Sequence, residues 1–391
     1  MLFNFKFNYD VNFSKKIEII IIISQNFIVN QRNIICQTDI DINTFVSVDI
    51  SMTWLVVLNS ILFIATLSGY IICMKYITYT YEYRNEWFNV LLTLIFTPFY
   101  SCFFIRKFSL TRIRSYMTPE RRIVLIYPIA TGVLYTVETV LVFFVLNTVT
   151  LSYYTIMRSG FIIFNIPWFK YLLKKPVTRL YYASCAALFV SHVIVSSQYV
   201  FHYQSQSNAE DSRAQNVVQN MIIISISCFL NSAYNNVIEY TMSKYGDIIT
   251  NIDFQIIFQS TFFVIAAPWA VYYTTFNVPP LNSSSVTMYV FIAFGLQLYM
   301  FNKIYILNNK RVEIPTNILL SGLDILRRVI QLTYSFVWFK EPFDAIIGIS
   351  LLFLGLSGGL LLYQYVRDYM VRVNLQHLPM VEVETDVPAE S

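Results

Sequence analysis

The chain has 391 residues, of which 56% are hydrophobic and only 13% charged, roughly half the charged fraction of an ordinary soluble domain. That balance excludes a single soluble globular enzyme and points to an all-α polytopic membrane protein. The net charge of +4 says little, because the placement of Lys and Arg matters more than their sum. Five scattered cysteines with no CxxC pair, and three distant histidines, offer neither a disulfide framework nor a metal or haem site, so no cofactor or metal is expected.

Residues 1–51 differ from the rest of the chain. They are rich in Asn, Asp and Lys, and their longest apolar run, residues 17–23, is interrupted by Glu18. That run is too short to span and lacks the cleavage site of a secretory signal, so the segment reads as a disordered or interfacial N-terminal extension ahead of a core that begins near Met52. Apolar stretches then come at about 53–74, 87–105, 122–145, 149–169, 179–200, 217–242, 253–274, 286–306, 314–339 and 343–366. Each is long enough to cross about 30 Å of hydrocarbon as a helix, which gives a ten-helix domain over 52–370 and a cytosolic acidic tail over 371–391. Pro128, Pro167, Pro268 and Pro315 are expected to kink or begin spans.

Basic residues set the expected orientation. Arg106, Lys107, Arg112, Arg114, Arg121 and Arg122 fall in the second loop, and Lys170, Lys174, Lys175 and Arg179 in the fourth. Lys303, Lys310 and Arg311 fall in the eighth, and Arg367 and Arg372 after the last span. With ten spans all of these share one side, so both termini are expected in the cytosol. The sequon at Asn282 then lies on the opposite side, whereas the one at Asn12 stays cytosolic and silent.

Superimposing Pro176 on Pro342 places the fourth and fifth spans over the ninth and tenth, with Arg158 opposite Asp324. Five spans separate the copies, and an odd separation gives them opposite sense in the membrane. The expectation is a 5+5 inverted repeat, about 52–200 and 217–366, with a solute site near the midplane.

The charges inside the spans are the candidates for that site. Arg158 stands mid-way along the fourth span, and a guanidinium at that depth suits a carboxylate or phosphate; it either meets a solute or pairs with Glu138 of the third span as a helix lock. Asp324, Arg327 and Arg328 are spaced i to i+3 and i+4, so a pair within the helix is available, with one arginine left for a solute anion or for Glu138. Glu138 and Glu239 are candidates for proton coupling; Glu239, near the cytosolic end of the sixth span, also fits an ordinary interfacial carboxylate. Asn231 and Asn235 share a face and could bind a polar solute or neighbouring helices. With no HExxH, P-loop lysine motif or GxSxG, no enzymatic activity is expected.

With these residues in place, the chain resembles the drug/metabolite transporter superfamily and, within it, solute carrier family 35. The segment Ile156-Met157-Arg158-Ser159-Gly160 with Ile162-Ile163-Phe164 is similar to the "MLRG…IIF" pattern of that family's F branch. Leu323-Asp324-Ile325-Leu326-Arg327 is similar to its "LDSLR", followed by Glu341 and a final helix ending in Leu362-Tyr363. Residues 235–245, with Glu239 and Lys244-Tyr245, resemble the chloroquine-resistance-transporter-like proteins. Arg158, Arg327 and Arg328 also fall at the spacing of the phosphate-binding basic residues of the more distant triose-phosphate translocators, although Asp324 and Glu138 depart from that pattern. The resemblance, over about residues 53–370, implies a secondary solute transporter of an internal membrane (Golgi, lysosome/vacuole or endoplasmic reticulum) that moves a small anionic metabolite by alternating access. A Golgi nucleotide-sugar or sugar-phosphate antiporter is the alternative, and a non-transporting scaffold or receptor is the reading from another class. The partners are then a small-molecule solute and the lipid bilayer, without nucleic acid; a homodimer is compatible.

Overall fold

The computed structural model describes residues 42–81, 121–206, 210–276, 316–341 and 343–376, with isolated positions at 90, 116, 118, 287–289, 295, 299–300, 303 and 306–307. The chain divides into two compact units, Met1–Val57 and Leu58–Ser391. In the first, the described residues 42–57 are helical, so the expected boundary at residue 51 falls inside a helix. The rest of the extension and the acidic tail lie outside the described residues.

Among the described residues the regular structure is all helical. The helices are α1 (Ile42–Tyr81), α2 (Arg122–Thr148), α3 (Leu151–Arg158), α4 (Phe161–Tyr171), α5 (Arg179–Gln206), α6 (Glu210–Tyr245), α7 (Asn251–Phe276), α8 (Thr316–Trp338) and α9 (Ala345–Gln376). Six of them, α1, α2, α5, α6, α7 and α9, contain a segment long and apolar enough to cross a membrane, and these match six of the expected spans. Exposed Ile126, Phe189, Val264 and Leu352 suit a bundle whose outer surface meets lipid rather than water. The stretches expected at 87–105 and 286–306 lie outside the described residues apart from isolated positions.

The remaining two expected spans differ from plain apolar helices, each for a physical reason. The fourth is not continuous: it breaks at Ser159 and Gly160 into α3 and α4. The ninth is a continuous helix, but its polar residues Asn317, Ser321, Asp324, Arg328, Gln331 and Ser335 recur at alternating four- and three-residue steps. All six are buried, whereas Leu326, Ile330 and Val337 are exposed. The helix is amphipathic with its polar stripe turned toward the protein, the arrangement that keeps charge out of hydrocarbon.

Proline positions are absorbed as expected for membrane helices: Pro128, Pro167 and Pro268 lie within α2, α4 and α7. Pro315 lies outside the described residues, next to the start of α8.

The offset that superimposes Pro176 on Pro342 recurs in the backbone. Lys174 and Lys340 are the described non-glycine residues with positive φ, at 53° and 52°. After each, the next amide reaches back six residues, Lys175 N to Phe169 O at 2.9 Å and Glu341 N to Ser335 O at 3.3 Å, so that each helix end gives a partner to one of its last carbonyls. The same offset relates the contacts between α5 and α9. Ser184 Oγ meets Ser357 Oγ at 2.6 Å, and Ser191 Oγ donates to Ser350 O at 3.0 Å. Each pair is the image of the other when α5 and α9 exchange roles. As one residue number rises the other falls, so the two helices run antiparallel.

Small residues allow the other close approaches. A Cβ at Gly132 of α2 would stand 2.7 Å from Thr261 Cβ and 2.9 Å from Phe258 O of α7, whereas one at Gly359 would meet nothing within 4 Å. Gly132→Ala is therefore expected to cost about 1–3 kcal/mol by overpacking. Gly359→Ala is neutral or gains up to about 1 kcal/mol from helix propensity. Thermal unfolding in detergent checks both, and equal behaviour of the two variants would contradict the α2–α7 contact.

Candidate functional site

The site is built on the break between α3 and α4. Thr150 caps α3, its Oγ1 accepting from Tyr153 N at 3.4 Å. At the other end the amides of Ser159 and Gly160 reach back three residues, to Ile156 O at 3.1 Å and Met157 O at 3.2 Å. This tightening releases carbonyls that a continuous helix would have used. Thr155 O accepts instead from Arg328 Nη1 of α8 at 2.9 Å. Ile156 O accepts from Ser159 Oγ at 2.6 Å and lies 2.9 Å from His192 Nε2, and Arg158 O accepts from Cys228 Sγ at 3.4 Å. The broken helix is thus held by side chains from α5, α6 and α8.

Two ionic groups meet at the break. Arg158 pairs through Nη2 with Glu138 Oε1 of α2 and donates through Nη1 to Ser227 Oγ of α6. Asp324 binds both neighbouring arginines, one on each oxygen: Arg327 Nε and Nη2 donate to Oδ1 at 2.9 and 2.6 Å, and Arg328 Nε and Nη2 to Oδ2 at 2.8 and 2.6 Å. Neither arginine is left over for Glu138, because Arg158 has taken that partner. The first group is neutral and the second carries one surplus positive charge, and Arg327 Nη1 is buried with no hydrogen-bond partner among the described residues.

These groups border a cavity of about 60 Å³, room for about four or five waters or one small charged group. Glu138, Arg158, Asn231, Asp324, Arg327 and Arg328 all line it. The remaining polar lining is mostly aromatic, from Tyr70, Tyr135, Tyr154, Tyr234 and Tyr299. Phenols offer both a hydroxyl and an apolar ring face to an enclosed solute.

The other candidates fall elsewhere. Asn235 donates to Asn231 Oδ1 at 3.3 Å, so the shared face is real, but only Asn231 reaches the cavity. Asn236, its sequence neighbour, bonds Asn165 Oδ1 of α4 at 2.9 Å, and Asn165 reaches Ser321 of α8 at 3.4 Å; these amides join helices. Glu239 is not a water-facing carboxylate. It is 2% exposed, pairs with Lys175 Nζ at 3.0 Å and accepts from Asn317 N at 3.1 Å, because the α4–α5 connection covers it.

Glu239 has a counterpart at the opposite end of the bundle. Glu341 accepts from Leu151 N at 2.8 Å and Ser152 N at 2.9 Å, a carboxylate on the positive end of α3. Leu151 and Asn317 are related by the same offset as the two lysine turns. The start of α3 is tied to Glu341, in the connection after α8, and the start of α8 to Lys175, in the connection after α4, by way of Glu239; both ties are closed at once. Beside the first, Lys75 Nζ donates to Leu146 O and Val149 O at 3.1 and 2.7 Å, closing the end of α2.

Sequence reasoning missed one buried cation. Lys303, which its position places among the loop cations, is 1% exposed and donates to Tyr234 OH at 2.7 Å and Tyr299 OH at 3.0 Å. The signal was available: Lys303 lies inside the apolar stretch 286–306, four residues after Tyr299. The positive-inside tally loses that residue.

Removing one partner of a buried pair strands the other charge. Arg158→Leu is expected to destabilise by about 3–5 kcal/mol, and adding Glu138→Leu to recover most of it; denaturant unfolding in micelles measures both. A double variant no more stable than the single one would contradict the pair.

Comparison with known protein-family models and with functionally characterised proteins gives no match for the chain.

Proposed function

We propose that the protein is a secondary transporter of the drug/metabolite type that moves a small anionic metabolite by alternating access. The observation that carries this reading is a cavity at a helix break, lined by three guanidinium groups and only two carboxylates. A surplus of buried positive charge is costly unless an anion meets it, and discontinuous helices are the usual framework of such sites. Arg327, with a free Nη1, is the first anchor for the solute; Asp324 orients the two arginines of α8, and Arg158 with Glu138 closes the opposite wall. Glu138 is the coupling candidate that lines the cavity, whereas Glu239 is committed to a structural tie.

The ten-span 5+5 inverted repeat is part of the same proposal. It is supported by the paired lysine turns, the exchange-related serine contacts and the antiparallel course of α5 and α9. Alternating access then consists of opening one tie at a time, Glu341 from the start of α3 or Glu239 with Lys175 from the start of α8. Both ties are closed in the structure. Both termini in the cytosol and residence in an internal membrane complete the reading, with the bilayer as the medium and a homodimer compatible. A cavity this small, when closed, suits a compact anion better than a nucleotide sugar. No catalytic role is proposed.

The second reading, a membrane scaffold or receptor whose charges only lock helices, is favoured by the fully formed Arg158–Glu138 pair. Exchanging the pair, as Glu138→Arg with Arg158→Glu, restores full function under that reading.

The test is thermal unfolding of the purified protein against inorganic phosphate, small organic anions, amino acids and cationic amphiphiles, followed by uptake into proteoliposomes. A ligand at a hundred times its dissociation constant stabilises by about 2.7 kcal/mol. Stabilisation by anions that disappears in a folded Arg327→Ala variant, with uptake lost in parallel, is the expected result. Stabilisation by cations alone, or undiminished uptake by Arg158→Ala and Arg327→Ala, would refute the proposal.

A further inference from the structure

The buried charge beside the cavity does not end with the guanidinium groups. Lys303 lies behind two of the tyrosines that line the wall. Its Nζ is 2.7 Å from Tyr234 OH, 3.0 Å from Tyr299 OH and 4.2 Å from the centroid of the Tyr234 ring. Among the described residues no carboxylate lies within ion-pairing distance of it. Its two phenol partners are themselves packed among rings: Tyr135 stands edge-on to Tyr234 with centroids 5.6 Å apart, and Phe63 lies 5.2 Å from Tyr299.

The direction of the hydrogen bonds decides what this arrangement offers. An ammonium has donors and no acceptor, so both phenol oxygens accept from Lys303 and their own O–H protons are free to point elsewhere. Tyr234 and Tyr299 both border the cavity. A cation behind a hydroxyl also strengthens it as a donor, because chained hydrogen bonds polarise one another in a poorly solvated site. Counting Lys303, the cluster holds four basic groups (Arg158, Arg327, Arg328 and Lys303) against Glu138 and Asp324. Arg327 and Arg328 share the one carboxylate of Asp324; among the described residues Lys303 pairs with no carboxylate and Arg327 Nη1 has no hydrogen-bond partner.

We propose that Lys303, acting through the hydroxyls of Tyr234 and Tyr299, forms a second anion-binding subsite on the cavity, so that the solute is a dianion held between this subsite and Arg327. The inference rests on the anion reading of the cavity and deepens it. It assigns Lys303 a specificity role: a monoanion satisfies the arginine subsite alone, and a dianion satisfies both. The dianion is either one compact group, of which sulfate is the probe, or two separated carboxylates, of which succinate is the probe.

The experiment is equilibrium binding to the purified full-length protein in detergent, with each dianion compared with a monoanion of nearly the same shape. The pairs are sulfate with methanesulfonate, and succinate with succinamate. The unmodified protein is expected to favour at least one dianion over its partner by at least about tenfold, the effect of one hydrogen bond to a charged group. Lys303→Met is expected to abolish that preference while retaining the monoanion, and Lys303→Arg to keep it. If Lys303→Met does not purify as a monodisperse species, Lys303→Gln removes the charge while keeping a donor for the phenols. Which pair shows the preference identifies the source of the charge. Absence of preference in the unmodified protein, or its survival in the neutral variants, overturns the second subsite and leaves the anion reading standing. Failure of every anion to bind overturns both.

Discussion

The bond from Arg328 to Thr155 O is the point on which the rest of the site depends. A helix that broke in the middle of a membrane-embedded bundle with no donor nearby would leave bare carbonyls, each costing several kcal/mol where no water can reach them. Here the break supplies an acceptor and α8 supplies a donor. The guanidinium in turn needs a counter-charge, which Asp324 provides from one helical turn earlier on the same helix. The break, the buried arginines and the buried aspartate are therefore one feature. None of them would be stable in that place alone.

The polar stripe of α8 follows from the same requirement. From Asn317 to Ser335 it faces partners at every level: Glu239 at the backbone of its start, Asn165 beside Ser321, and the broken α3 beside Arg328. Its opposite face is apolar and exposed. A helix built this way looks too polar to span when only its composition is counted. Its register turns Leu326, Ile330, Val337 and Trp338 outward, together with Thr333, whose hydroxyl returns to Val329 O.

Much of this was legible in the sequence, and the parts that were not have physical causes. Hydrophobic length located the helices because a bilayer imposes one length on every span. The charge spacing of Asp324, Arg327 and Arg328 announced their contact because a helix turns once in 3.6 residues. Pairing by the two prolines found the two similar lysine turns, although side-chain identity between the paired segments is slight. The helix break at Gly160 was hidden, since Ser and Gly in an apolar run also read as small packing residues. Lys303 was misplaced because lysines near a predicted span end usually snorkel to the interface, and only packing by Tyr234 and Tyr299 holds this one inside. The burial of Glu239 was hidden for a similar reason. The loop that covers it is remote in sequence.

The serine contacts between α5 and α9 bear on how the protein is made. The partners of Ser184 and Ser191 lie in the last long helix, and the carboxylate that caps α3 lies just before it. At about 5–20 residues per second, α3 and α5 are made roughly 8 to 40 seconds before Glu341 and α9 emerge. During that interval their polar groups need lipid headgroups, insertion machinery or each other. The seam between α5 and α9 is thus incomplete until α9 is threaded, and a product truncated before α9 would present the quality-control apparatus with an unfinished polar seam in an otherwise apolar surface.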